Sequence, residues 1–148
     1  MKRVFVLWLI FLAMAQGREY KAVFDCSSDD ARYISGRMKL VEETLRLIEK
    51  QGNTGTFALT LHGGCVPIVA ANMDEIVSDE ELPLIRQAQE TLKRLHGEKK
   101  VEIVACAMSL KANGLDAGDV LPFVRVSEDS FIDTIGYQND GYAVMTFP

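Results

Sequence analysis

The strongest constraint on this chain's fold is its strict alternation of short apolar runs with amphipathic, helix-period segments. Tyr20 to Asp25, Thr54 to Leu61 and Val101 to Ala105 are rich in β-branched and apolar residues, as buried strands are. Between the first two, Ile34, Met38, Val41, Leu45 and Ile48 recur at spacings of three and four, with Asp29 or Asp30 placed to cap the helix and Gly52 to end it. Between the second and third, Asp79 is the expected cap, Pro83 falls in the first turn, Ile85, Ala88, Leu92 and Leu95 form the core face, and Gly97 is the expected stop. Gly63-Gly64 permits a sharp turn before the short apolar segment from Val66 to Met73.

The rest of the chain continues the pattern. A helical turn is expected over Met108 to Asn113 with a stop at Gly114, and a further turn from Asp116 to Leu121-Pro122. Val124 to Val126 reads as a fourth strand, Ser127 or Asp129 as the cap of a helix through Ile135, and Tyr142 to Phe147 as the last strand. Five strands separated by helices imply right-handed crossovers and a mostly parallel sheet covered on both faces, a doubly wound, flavodoxin-like three-layer α/β/α sandwich.

The N-terminus is expected to be a secretory signal peptide over residues 1–15. Lys2 and Arg3 precede an apolar run from Val4 to Ala13, and Ala13-Met14-Ala15 is an A-x-A cleavage site. The run is shorter than the roughly 20 residues a membrane span needs. Cleavage would leave residues 16–148 as one exported, periplasmic domain with no membrane segment. The full chain has 148 residues and a net charge of −5, which becomes more negative once Lys2 and Arg3 leave. With no basic cluster to track phosphates, nucleic acid is excluded as a partner.

Three cysteines stand at the ends of the three main strands. Cys26 closes the first, Cys65 follows the second across His62-Gly63-Gly64, and Cys106 closes the third. In a parallel sheet all three reach the carboxyl edge, where open α/β folds place their ligands. Cys106 is the leading candidate for chemistry because the N–H groups of Ala107, Met108 and Ser109 open a helical turn beside it. Those groups, with the Ser109 hydroxyl and the charge of Lys111, can stabilise a thiolate. A buried cysteine acting as a small hydrophobe is the alternative.

His62 is either a proton acceptor for Cys65 or Cys106 or a loop histidine that holds its turn. His96 reads as a residue of a helix C-terminus. Cys26 and Cys65 leave three readings open: a sulfur relay with Cys106, a disulfide, or a soft-metal site made of His62, Cys65 and Cys106. Gly63-Gly64 lacks both the GxGxxG pattern and the Walker lysine-serine ending, so no nucleotide or other cofactor is expected.

Taken together, several segments resemble the DsrE/DsrF-like proteins. They are Val23-Phe24-Asp25 followed by Ser28-Asp29-Asp30, His62-Gly63, Ala105-Cys106 with Ser109-Leu110, Val120-Leu121-Pro122 with Val124 and Val126, and the closing Gly141-Tyr142-Ala143. The resemblance spans nearly all of residues 16–148, and it implies a homo-oligomer, a trimer or hexamer. It also implies a sulfur carrier or sulfurtransferase whose cysteine at Cys106 passes persulfide sulfur between donor and acceptor proteins. Met108 stands where many relatives have Asn, Phe123 replaces a frequent glycine, and Cys26 and Cys65 lie outside the common pattern. Cys106 and Cys65, with His62, are thus the expected catalytic residues, and Cys26, Ser109 and Lys111 their support. The rival expectation is a non-catalytic periplasmic module whose Cys/His crest binds a soft metal or small ligand.

Overall fold

The computed structural model describes residues 17–148. The expected signal peptide and its cleavage site lie outside them. Five parallel strands, β1 (Glu19–Cys26), β2 (Thr54–Leu61), β3 (Glu102–Cys106), β4 (Arg125–Ser127) and β5 (Ala143–Phe147), form one sheet in the order β4-β3-β2-β1-β5. The helices are α1 (Ala31–Lys50), α2 (Leu82–Lys99), α3 (Ala107–Ala112) and α4 (Ser130–Asn139). The α/β class, the parallel sheet and its five strands are as the alternation requires.

Strand order decides which face each helix covers. From β1 to β4 the chain steps across the sheet in one direction, so right-handed crossovers put α1 and α2 together on one face. After β4 it returns to the far edge to place β5 beside β1, and that reversal puts α4 on the opposite face. The packing agrees: α1 lies against α2, whereas α4 lies across β1, β2, β3 and β5.

The two faces differ in composition because side chains alternate along each strand. Phe24, Phe57, Leu59, Ile103 and Phe147 meet Ile34, Met38, Val41, Leu45, Leu92 and Leu95 in the main core. The α4 face is thinner and includes polar groups, among them Thr60 and Thr134, whose hydroxyls lie 3.2 Å apart. A 3-10 segment from Gly63 to Val69 follows β2. Buried Gln89 of α2 pins its far end by donating its amide N–H to Ala70 O at 2.8 Å, which satisfies a carbonyl that burial would otherwise leave unpaired.

Helix starts follow local chemistry. Asp30 caps α1 by accepting from Tyr33 N–H, and Asp129 caps α4 by accepting from Phe131 N–H. Three expectations need correction. Glu81 rather than Asp79 precedes α2. Gly97 does not stop that helix, which runs to Lys99 and ends on Lys100 in the left-handed region at φ 59°. Such a conformation disfavours a non-glycine residue by about 1–2 kcal/mol. The turn nevertheless delivers Val101 into the core, where it is 1% exposed and donates to Leu95 O. Similarly, α4 continues past Ile135 to Asn139, and Gly141 at φ 85° makes the turn into β5.

Candidate functional site at the carboxyl edge

Parallel register sets the site. Asp25 pairs with Thr60 and Thr60 with Val104, so these three lie in one row on the α4 face. Cys106 is two residues further along β3, at the crest of that face. Cys26 has the opposite parity on β1 and packs into the α1/α2 core. The three cysteines therefore share the carboxyl edge but are divided between the two faces of the sheet.

Cys106 is 4% exposed and occupies the N-cap position of α3. Burial pushes its thiol pKa up. The backbone N–H groups of Ser130 and Ser109 and the hydroxyls of the same two serines oppose that by hydrogen bonding to the thiolate, and the net displacement is below the ordinary thiol value. Ser109 lies in the first turn of α3 and Ser130 is the first residue of α4, so the amino ends of two helices converge on one sulfur. Helix amino ends favour anions through their unpaired N–H groups. Lys111 is exposed on α3 and takes no part in the hydrogen bonding around the sulfur.

Ser109 is itself held from the neighbouring loop. Gly63 N–H donates to Ser109 Oγ at 2.9 Å, and the Asn113 side-chain amide donates to Gly63 O at 3.2 Å and Ser109 O at 2.8 Å. On its other side the Gly63-Gly64 pair lies against the segment after β1, an approach that its lack of side chains permits. Gly63 has φ +53°, and a Cβ on Gly64 would sit 2.6 Å from Asp29 Cα.

Cys26 and Cys65 are joined by a disulfide, with sulfurs 2.02 Å and Cα atoms 5.9 Å apart, and both are fully buried. Of the three readings left open for this pair, the structure has the disulfide. This corrects two expectations at once: Cys65 is not a second free thiol beside Cys106, and it is not available as a metal ligand with His62 and Cys106. Among the described residues no group of three His, Cys, Asp or Glu side chains converges as a metal site.

His62 is oriented by a carboxylate. Its Nε2 lies 3.2 Å from Asp25 Oδ2, while Asp25 Oδ1 accepts from Thr60 Oγ1 at 2.7 Å. The Phe131 ring of α4 meets the imidazole edge-on, with centroids 5.2 Å apart. The side-chain partner of His62 is thus Asp25 rather than a cysteine. His96 stacks on Phe123 and faces Val101 O, away from the crest.

Sequence reasoning missed Ser130, Asn113 and the Gly63 N–H. Asn113 stands directly before the expected helix stop, and a polar amide there was an available signal. Ser130 carried none, because its place depends on α4 returning across the opposite face.

The model of the DsrE/DsrF-like family matches residues 21–147, from β1 through β5. The chain belongs to the DsrE/DsrF-like family. An uncharacterized protein of Aquifex aeolicus (strain VF5) is 30% identical over 145 residues, which is 97% of this chain and 63% of that protein. This DsrE/DsrF-like chain therefore spans less than two thirds of that relative's length. Among solved structures, a protein of unknown function from Methanobacterium thermoautotrophicum, MTH1491, superposes with a TM-score of 0.67 at 20% identity, covering 86% of this chain and 99% of its own. At that identity the likeness establishes the shared fold alone.

Proposed function

We propose that this DsrE/DsrF-like protein carries sulfane sulfur on Cys106. The observation that carries the reading is the place of Cys106 at the N-cap of α3, on the sheet face that α4 covers, where Ser109 and Ser130 lower its thiol pKa. A group built to hold a thiolate also suits a persulfide anion, since both place negative charge on sulfur at the same crest. The Cys106 thiolate attacks a sulfane sulfur of a polysulfide donor, the donor's S–S bond breaks, and the shortened donor leaves with the electron pair. Transfer follows when an acceptor thiolate attacks the outer sulfur and Cys106 departs as a thiolate. Sulfur moves at one oxidation level throughout, so neither step requires an external reductant.

Export fits the same reading, supported by the signal-like N-terminus and by a disulfide of the kind that persists in oxidising compartments. Homo-oligomerisation is part of the proposal too, supported by the apolar outer face of α4, where Phe131, Ile132 and Ile135 are all more than half exposed. Of the other aromatic residues near the C-terminus, Phe147 is 6% exposed in the core, and the Tyr137 hydroxyl donates to Glu102 at 2.7 Å.

Intact-protein and peptide mass spectrometry after polysulfide treatment tests the reading. A gain of about 32 mass units on the Cys106 peptide, removed by a thiol acceptor, is expected for thiolate attack on sulfane sulfur. An unchanged Cys106 peptide together with bound copper or zinc overturns it in favour of a non-catalytic binding module.

A further inference from the structure

The Cys26–Cys65 disulfide takes no part in the sulfur-carrying step, yet its surroundings reach Cys106 through Ser109. On one side, the turn that holds Cys65 is fixed to the end of β1. His62 N–H donates to Cys26 O at 2.9 Å, Gly64 N–H donates to Ser27 O at 3.2 Å, and the disulfide ties the same two segments covalently. On the other side, the turn abuts α3, where Gly63 N–H donates to Ser109 Oγ at 2.9 Å. A serine hydroxyl has one proton. When Gly63 fills an acceptor position on that oxygen, the proton is left to point elsewhere, and Cys106, the N-cap three residues before Ser109, takes a hydrogen bond from it as thiolate. Hydrogen bonds in such chains reinforce one another.

We propose that the Cys26–Cys65 disulfide is a positioning device for Cys106: by clamping the Gly63-Gly64 turn it aims the Ser109 hydroxyl at the sulfur, and its reduction disarms the thiol. This rests on Cys106 being the reacting group, as proposed above. Reduction by a dithiol delivers two electrons and two protons, closes the reductant's own sulfurs as a cyclic disulfide, and leaves Cys26 and Cys65 as thiols. The turn then keeps its main-chain bonds to β1, the His62–Asp25 contact and the Asn113 bond to Gly63 O, but it loses its covalent tie, and with it the constraint that holds Gly63 N–H on Ser109. The groups that act on the Cys106 thiolate are the N–H and hydroxyl donors of Ser109 and Ser130, with no charged side chain among them. Reduction alters none of them chemically.

The test is the pH profile of Cys106 alkylation by iodoacetamide, read at the Cys106 peptide. The oxidised protein is compared with Cys26→Ala/Cys65→Ala, with Ser109→Ala and with the triple variant. In each of these Cys106 is the sole free thiol. Losing one hydrogen bond to a thiolate should raise the profile's midpoint by about one pH unit, both in the disulfide-free variant and in Ser109→Ala. The triple variant should rise no further than Ser109→Ala, because the disulfide acts through Ser109. An unchanged midpoint without the disulfide overturns the proposal, as does a triple variant whose shift equals the two separate shifts added. If circular dichroism shows the disulfide-free variant unfolded, the dithiol-reduced protein replaces it, with Ser109→Ala reduced in the same way as the combined case and the same outcomes deciding. Polysulfide loading measured on the same samples separates the two readings. A shifted midpoint in a protein that takes up no sulfur leaves the positioning role standing and removes the relay.

Discussion

Ser130, the first residue of α4, lowers the pKa of Cys106, the last residue of β3, through its backbone N–H and its hydroxyl. The contact joins the start of the β3-to-β4 crossover to the start of the next, which runs over the opposite face of the sheet. It makes the reactivity of Cys106 depend on how α4 is seated.

Ser130→Ala removes the hydroxyl donor and keeps the N–H, so the Cys106 thiol should titrate higher while the fold survives. A shift of up to about one pH unit is expected from one lost hydrogen bond to an anion. The sign extends to stability. Because the folded chain holds the thiol pKa below its unfolded value, ionisation of Cys106 stabilises the fold above the unfolded value, and that contribution is lost as pH falls through the folded one. Denaturant unfolding at neutral and alkaline pH should therefore show a stability gain that Cys106→Ser lacks.

Cys26→Ala and Cys65→Ala should resemble each other in stability, since each opens the same bond. The bridged residues are separated by 39 positions, for which loop entropy in the unfolded chain corresponds to roughly 4 kcal/mol. Urea titration of the oxidised protein and of either variant measures the difference. Equal midpoints would mean that the bond does not form in the folded protein.

Gly64→Ala should be among the most damaging small substitutions. Its Cβ would fall 2.5 Å from Asp29 Cβ and 2.6 Å from Asp29 Cα, and backbone at that distance cannot swing aside as a long side chain can. Overpacking of this kind destabilises by about 1–3 kcal/mol. The turn would be pushed toward α3, so alkylation of Cys106 should change along with stability. A normal melting temperature and a normal alkylation rate would contradict the close approach of the two loops.

Ile132→Glu or Ile135→Glu should dissociate the proposed homo-oligomer without unfolding the subunit, because these side chains are 68% and 57% exposed. Burying either against another subunit would require desolvating a carboxylate. Sedimentation of the parent protein as a trimer or hexamer, and of the variants as monomers, is the expected result. A parent protein that sediments as a monomer at micromolar concentration ends the oligomer proposal.

The sequence carried most of the fold because its signals are local. The Asp30 and Asp129 caps, the spacing from Ile34 to Ile48 and the β-branched run from Thr54 to Leu61 each report on a few neighbouring residues. Cys106 was legible for the same reason, standing at a strand end with its own helical turn behind it. What surrounds Cys106 was not. Ser130 arrives from α4, Gly63 from the loop after β2, and Cys26 faces Cys65 only once β1 and β2 lie side by side. Gly97 misled because glycine is permitted at a helix end but not obliged to form one, and the burial of Val101 set the end at Lys100 instead.

The disulfide has one consequence beyond the crest. Cys26 closes β1 and Cys65 follows β2, so α1 and β2 lie inside a covalent ring that begins at the last residue of β1. A protease that nicks α1 would leave two fragments that travel as one band in electrophoresis until a reductant is added. In a chain stretched from its two ends, the ring would not lengthen with the rest. The neighbourhood of β1 and β2 at the crest is thus recorded in the chain's covalent connectivity, and it persists in an oxidised molecule that has lost every other element of its fold.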